Sequence, residues 1–538
     1  MPSTTLLKRD WEKDHVYLIQ FPRIGCIPSP SPYAFKLETF LRVADIPYTN
    51  INNEFTKKSA RGQIPFIELN GRQHADSSLI IEHLIEHFHK TELDSLSAQD
   101  KAVARAFYAL LEHHLLWVVS YSRSLDGKWF GTDEGVGRIL TGVKGFAVKT
   151  FALPQMAKQY RSRCRAQGIG TFTKEEVLEI AKKDLDALST QLAGKPYLFG
   201  DEIKTIDVVA FAHLSELLFT PQFTPEIKLH VEQSNANLMA YVERIKAKYW
   251  PDWAETCETQ NMDTKWKKFC SMPSRKLVNP SWENGKVYLI QFPRSGCIPS
   301  PSPYSMKLET WIRMAGIDYT NINNEFKHMS KRGQQPFIEL NGQEFSDSSL
   351  IITKLAEEFG GKGKELEDLP PFLKAQEHAF YALIEHHLVW INLVSRSIDF
   401  KWIATEQGYG RLFTGVKAFF MKNIVVPRFQ KNLKARLQGQ WIGTLTNEEK
   451  ISELKKDLDA ISEQLGKQKY LFGDEVKTID ATLFGHLAEV LYTPQFTPQI
   501  KEHIETKCSN LITYFNSIKE QYWPDWEDKS MENWGVKK

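Results

Sequence analysis

The sequence predicts two tandem units of mixed class, each an α/β domain followed by an all-α domain. Three observations carry this: a repeat running through the whole chain, a strand-rich pattern opening each repeat, and a switch to helical periods partway along it. VYLIQFPR at 16 returns at 287, GCIPSPSPY at 25 returns at 296 and YTNINNEF at 48 returns at 319, a spacing of 271. PFIELNG, DSSLII, EHHL, TGVK, YLFGDE, TPQFTP and YWPDW follow in the same order in both halves. So long a period is duplication of a whole folded unit, since solenoid repeats are roughly 20–45 residues.

Within the first repeat, HVYLIQF (15–21) has the β-branched and aromatic character of a buried strand. The prolyl loop PRIGCIPSPSP follows, and Ser31-Pro32 opens a helix, Ser as a favoured N-cap and Pro at the first helical position. IPYTNINNEF reads as a second strand, PFIEL closed by Asn70-Gly71 as a strand ending in a hairpin turn, and SSLIIEHLIEHF as an amphipathic helix. The order βαβ…ββα is the thioredoxin-like pattern. From about residue 97 apolar positions recur three or four apart, as in Leu178, Ala181, Leu185, Leu188 and Leu192. The expected domains are therefore 14–90 (thioredoxin-like) and 97–253 (helical), a linker over 254–281, then 282–361 and 368–526. Two copies in one chain can pack as an intramolecular pseudo-dimer, an arrangement the sequence does not itself specify.

Lys plus Arg (68) almost balances Asp plus Glu (66), so no global field draws the chain to nucleic acid. The opening MPSTTLLKRDWEKDH lacks the apolar run of a secretory leader, no run of eighteen apolar residues is present, and the six cysteines are scattered without a CxxC pair. A cytoplasmic protein with no integral membrane segment, no disulfide framework and no metal is expected.

Four features fall in one order in each copy. Ser31-Pro32-Tyr33 (Ser302-Pro303-Tyr304) places a hydroxyl at a helix start, where it can cap the helix or favour a thiolate. Ile64-Pro65 (Gln335-Pro336) opens a strand, a setting in which a cis proline would turn the preceding backbone toward an extended ligand. Asp76-Ser77 (Asp347-Ser348) precedes a helix and can cap it or receive a carboxylate and an ammonium group. Asp207 (Asp480), with Thr205, reads as a structural cap.

The succession Ser-Pro-Tyr-x-x-Lys, Pro-Phe-Ile, Asp-Ser-x-x-Ile and Gly-Asp-x-x-x-Thr-x-Asp resembles the glutathione S-transferase superfamily over nearly all of both copies. The QFPR loop, the KLETFLR helix and the FGHLAE segment resemble its failed axon connections and metaxin branch. The resemblance implies glutathione as the bound thiol, with Ser31 and Ser302 as thiol-activating residues. It places Gln63, Ile64, Pro65, Asp76 and Ser77, and Gln334, Gln335, Pro336, Asp347 and Ser348, around that tripeptide. It implies transfer of glutathione to an apolar electrophile, as in detoxification, or, for that branch, a non-catalytic adaptor or a carrier of an apolar ligand. Two departures stand out: the prolyl loop before Ser31 is longer than usual, and Lys204 replaces the usual capping Ser or Thr. Metaxins carry a membrane anchor, whereas this chain ends in the polar KSMENWGVKK.

Other clusters have plainer readings. Cys26 and Cys297, five residues ahead of Ser31 and Ser302, are expected to be packed loop residues rather than redox thiols. In EHHL, neighbouring His113 and His114 point about 100° apart on an α-helix, which disfavours a shared metal. One histidine is instead expected at the interdomain cleft, with Tyr108, His113, Trp117, Arg123 and, in the second copy, Tyr381, His386, Trp390 and Arg396 as candidates to line it. Trp129 is a further candidate, with plain core packing as the alternative. TGVKGFAVKTF (141–151) and TGVKAFFMKNI (414–424), with two lysines each, are expected to be solvated helix faces rather than membrane contacts.

Overall fold

A computed structural model of the chain describes residues 6–53, 57–125, 127–132, 134–135, 148–221, 225–257, 277–279, 281–324, 328–360, 363–413, 415–438, 440–494 and 498–531. The chain divides into two compact units, 1–266 and 267–538. Each has the two-part architecture read from the sequence.

The first unit opens with β1 (Val16–Gln20), α1 (Pro32–Val43), β2 (Tyr48–Asn52), β3 (Phe66–Leu69), β4 (Arg72–Ala75) and α2 (Ser77–His87). The sheet order is β2-β1-β3-β4, with β1 parallel to β2 and antiparallel to β3, the mixed sheet of a thioredoxin-like domain. All five residues of β1 are buried, which is why it reads as a continuous apolar run rather than an alternation. Asn70 and Gly71 both have positive φ (48° and 73°), the conformation a two-residue hairpin needs to match strand twist. Gly71 also admits the Trp11 indole, whose Nε1 would lie 3.0 Å from an added Cβ.

The helical domain comprises α3 (Ala98–Ala109), a π-helical turn over Leu110–Leu115, α4 (Leu116–Leu125), α5 (Leu153–Gln167), α6 (Lys174–Leu192), α7 (Thr205–Phe219), α8 (Pro225–Ser234), α9 (Ala236–Tyr249) and α10 (Trp253–Cys257). Thr173 and Glu176 form a capping box at the start of α6. At α7, Asp207 takes both the Lys204 amide (2.8 Å) and the Leu198 amide (2.8 Å), while Thr205 Oγ1 donates to Leu93 O, so Asp207 is the residue that caps. Val16, Leu18, Ile67, Leu37, Phe40, Ile80 and Leu84 form a core into which Val208 of α7 reaches, so the two domains of a unit share packing.

The second unit repeats this with β5 (Val287–Gln291), β6 (Tyr319–Asn323), β7 (Phe337–Leu340) and β8 (Gln343–Ser346) in the order β6-β5-β7-β8. Its π-helical turn covers Ile384–Leu388, on the second EHHL.

Two segments carry detail beyond the expectations. Residues 254–257, assigned to the linker, continue the short helix α10, while 258–276 lie outside the described residues. Over 414–424, expected to be a solvated helix face, the described residues 415–424 leave Val416, Phe419, Phe420 and Ile424 exposed together with Lys417, Lys422 and Asn423. The corresponding 141–147 lies outside the described residues.

Candidate functional site

Strand register brings the predicted motifs to one edge of each sheet. Ile19 of β1 pairs with Phe66 of β3, and Phe66 with Ala75 of β4, so Pro65 and Asp76 are neighbours beside the end of β1 that leads toward Ser31. Register in the second unit, Ile290 with Phe337 and Phe337 with Ser346, does the same for Pro336, Asp347 and the loop to Ser302. The Ile64–Pro65 and Gln335–Pro336 bonds are both cis. Ile64 and Gln335 are partly exposed, and the Gln63 and Gln334 amides donate to Ser59 and Ser330 (3.0 and 3.1 Å).

Asp76 sits at φ 77° and accepts from the amides of Ser78 (3.1 Å) and Leu79 (3.4 Å), with Ser77 buried at the first helical position. Burial pushes the Asp76 carboxyl above its usual range, against the pull of nearby Lys36. Asp347 behaves alike beside Lys307. These carboxylates cap their helices, so the capping role is filled without a ligand.

The serines at the first helix are enclosed. Ser31 and Ser302 are each 8% exposed, and each Oγ accepts from an amide one turn on, Ala34 and Ser305, at 3.4 Å. The prolyl loop before them is tied down at three points. Arg23 makes a bidentate pair with Glu38 (2.6 and 2.6 Å), and the Gly25 and Cys26 amides donate to Glu134 O at 2.9 and 3.2 Å. In the second unit Arg294 pairs with Glu309, whose carboxyl burial would raise but the guanidiniums of Arg294 and Arg313 hold down at about 2. Burial pushes the Cys297 thiol up to about 11 and Cys26 higher still, which makes both poor sources of thiolate.

Sequence reasoning missed the most concentrated chemistry. Lys36 of α1 forms a buried ion pair with Glu112 of the π-turn (2.5 Å) and donates to Ser78 (3.0 Å). Tyr108 closes the ring, 2.8 Å from Ser78 Oγ and donating to Glu112 at 3.0 Å, and His213 Nε2 stands 3.8 Å from Glu112. Burial alone would raise the Glu112 carboxyl, but Lys36 beside it holds it far below its usual range. Lys307, Glu385, Ser349 and Tyr381 reproduce the ring in the second unit. The available signal was a lysine, a glutamate and a threonine inside a helix buried on every side, since Ala34 to Leu41 are all enclosed.

Among the cleft candidates, Tyr108 and Tyr381 thus belong to this ring. His113 and His386 lie edge-on to them at 5.8 and 5.9 Å. Arg123 and Arg396 are instead ion-paired with Glu216 and Glu489, Trp390 is buried beneath Arg436, and Trp117 is partly exposed on α4. Trp129 stacks on Phe130 in the core. His114 Nδ1 pairs with Asp184 at 2.8 Å, away from His113's partner. Asp459, His503 and Cys508 bring ligand-type atoms within 4.8 Å of one another. In the first unit Asp186, His230 and Asn235 hold those places, with Asn235 donating to Asp186 at 2.8 Å, so this grouping serves as hydrogen bonding.

This mixed sheet with its appended helical bundle, the cis proline and the capped Asp-Ser turn define a glutathione-transferase fold. Descriptions of the glutathione S-transferase N-terminal domain match residues 32–129 and 303–402, and of the C-terminal domain residues 181–245 and 454–518, together more than half of the chain. The chain belongs to the glutathione-transferase superfamily, as a tandem member similar to failed axon connections and metaxin proteins. It is 38% identical to failed axon connections of Drosophila melanogaster over 259 residues, 46% of this chain and 62% of that protein. It is 29% identical to the isoprene-epoxide–glutathione S-transferase of Rhodococcus sp. strain AD45 over 230 residues (41% of this chain, 94% of that one). It is 24% identical to Metaxin-2 of Mus musculus over 253 residues (46% and 92%). No described helix is long and apolar enough to cross a membrane.

Proposed function

We propose that the protein is a non-catalytic binding or adaptor protein built on two glutathione-transferase-like units. The observation that carries this reading is the enclosure of Ser31 and Ser302: each hydroxyl is buried and occupied as a helix cap, beneath a loop held by Arg23–Glu38 or Arg294–Glu309. A thiol-activating hydroxyl has to come within hydrogen-bond reach of the bound sulfur, about 3 Å. The similarity to failed axon connections and to Metaxin-2 supports the same reading. The test is conjugation of glutathione to a generic aryl halide by the full chain. No rate above the spontaneous reaction is expected, and none should change in Ser31→Ala/Ser302→Ala. Turnover that this double variant abolishes would overturn the proposal.

A second reading, a transferase that conjugates glutathione to an apolar electrophile, draws on the cis Pro65 and Pro336 beside the Asp76-Ser77 and Asp347-Ser348 turns. Glutathione would then be held by Gln63, Ile64, Pro65, Asp76 and Ser77, and by Gln334, Gln335, Pro336, Asp347 and Ser348. Bound thiol would supply the nucleophile, and Ser31 and Ser302 would donate to it once the prolyl loop lifted. Calorimetric titration with glutathione separates a bare scaffold from a binding protein, and the aryl-halide assay separates binding from catalysis.

A further inference from the structure

We propose that the second unit carries a docking surface for anionic phospholipid bilayers, formed by residues 415–436. The helix Gly415–Phe420, a π-helical turn over Met421–Val425 and the helix Val426–Gln438 run on without a break. Val416 is 73% exposed, Phe419 63% and Phe420 51%, and Ile424, Val425 and Phe429 are exposed with them. Single exposed apolar residues need no explanation, but six large ones within fourteen positions mark an interaction surface. The segment is not a core face turned the wrong way, because Val426, Leu433 and Leu437 of the same helix are buried.

Charge selects the occupant. Between Glu406 and Glu448 the sequence holds no acidic residue but holds Arg411, Lys417, Lys422, Arg428, Lys431, Lys434 and Arg436. Lys417, Lys422, Arg428, Lys431 and Lys434 are exposed alongside the apolar group. The whole chain is only +2, so this is a local concentration of one sign. Exposed aromatic and aliphatic side chains interleaved with cations along one helical segment match a bilayer surface, where rings enter the headgroup boundary and the cations stay with phosphates. A second copy meeting the same face across a two-fold axis would bring like charges together. A nucleic acid would use the cations but leave the apolar side chains in water.

Flotation of the full chain with vesicles tests this. Binding to phosphatidylcholine vesicles containing phosphatidylserine is expected, with little to phosphatidylcholine alone and a loss at high salt. Phe419→Ser/Phe420→Ser should weaken it by at least about tenfold, and Lys417→Gln or Lys422→Gln by roughly fivefold each. These side chains are exposed, so the variants should keep the circular dichroism of the parent. Three results would overturn the proposal: no binding to either vesicle, binding that the variants leave unchanged, or a concentration-dependent dimer that Phe419→Ser/Phe420→Ser dissolves while vesicles recruit nothing.

Discussion

The two units join their domains in different ways at the same place. In the first, Phe35 of α1 packs into an aromatic cluster with Phe211, Trp250 and Trp253, at centroid distances of 5.3, 4.9 and 5.6 Å. In the second, Met306 replaces Phe35, and Gly485 lets the helix Thr478–Tyr492 approach the first helix closely. A Cβ on Gly485 would lie 2.6 Å from Pro303 O and 2.7 Å from Lys307 N. Two polar contacts around these alternatives are the same, although Trp311, in place of Phe40, adds a donor to Thr478 at 3.0 Å in the second unit. Trp250 and Trp523 donate to Thr39 and Thr310 (3.1 and 3.0 Å), and Arg42 and Arg313 pair with Asp252 and Asp525 at 2.6 Å. Apolar volume can be redistributed between neighbours at little cost, whereas a buried indole N–H needs its specific partner and the partly exposed arginine keeps its bidentate carboxylate. The comparison therefore separates the replaceable part of the domain junction from the part that is not.

The largest test is to break the part the units share. Lys36→Met leaves Glu112 buried without its cation and should destabilise the first unit by about 3–5 kcal/mol, leaving the second unaffected. Lys307→Met should do the reverse. Hydrogen exchange read by mass spectrometry, which resolves the units by peptide, measures both. Adding Glu112→Leu to Lys36→Met should restore most of the loss, and failure to do so would show that the ring is more than a paired charge.

Next come the buried caps. Burial raises Asp207 and Asp480 to about 6 from 3.8. The unfolded chain therefore releases these protons first, and each carboxyl costs stability as pH rises from about 4 to about 6, on the order of 3 kcal/mol per unit. Asp207→Asn should flatten that part of the pH profile in the first unit only, as denaturant unfolding across this range would report. Asp480→Asn should act on the second unit alone.

The units should then part company. Gly485→Ala forces a methyl against backbone and should cost the second unit about 1–3 kcal/mol. The reverse change, Ala212→Gly, should cost the first only about 1 kcal/mol through helix propensity. Equal losses would mean that the closer helix approach is not what distinguishes the second unit. The smallest effect is Thr39→Val, which removes the hydroxyl partner of Trp250 and should cost about 1 kcal/mol, matched by Thr310→Val. Thermal unfolding of each variant is sufficient for both comparisons.

Much of this architecture was legible in the residues because local chemistry and packing agree there. The apolar run at 15–21, Ser31-Pro32, Asn70-Gly71 and the SSLIIEHLIEHF pattern locate the first strand, the hairpin and both helices of the first domain. Asp207 was legible as structural, though the amides it would take were not. Two things were hidden. The burial of Lys36 against Glu112 depends on two helices far apart in sequence, and no local pattern announces a lysine's partner 76 positions away. The π-turn at EHHL has no composition signal, so an α-helical spacing was the natural expectation. The exposure of Phe419 and Phe420 was hidden as well, because counting lysines says nothing about which apolar side chains of a solvated helix turn outward.

That wide turn has a consequence for how one rod serves two masters. An α-helix advances about 100° per residue, and a turn closed by i→i+5 bonds absorbs one residue more than its neighbours, so everything after it is rotated relative to what came before. Glu112, inside the turn, reaches Lys36 in one domain and His114, two positions on and so on the opposite side, reaches Asp184 in the other, while the turn sets how the rest of the rod is rotated relative to both. Excising a single residue at this point, without touching any of the four, would swing one grip off its target and leave the other in place.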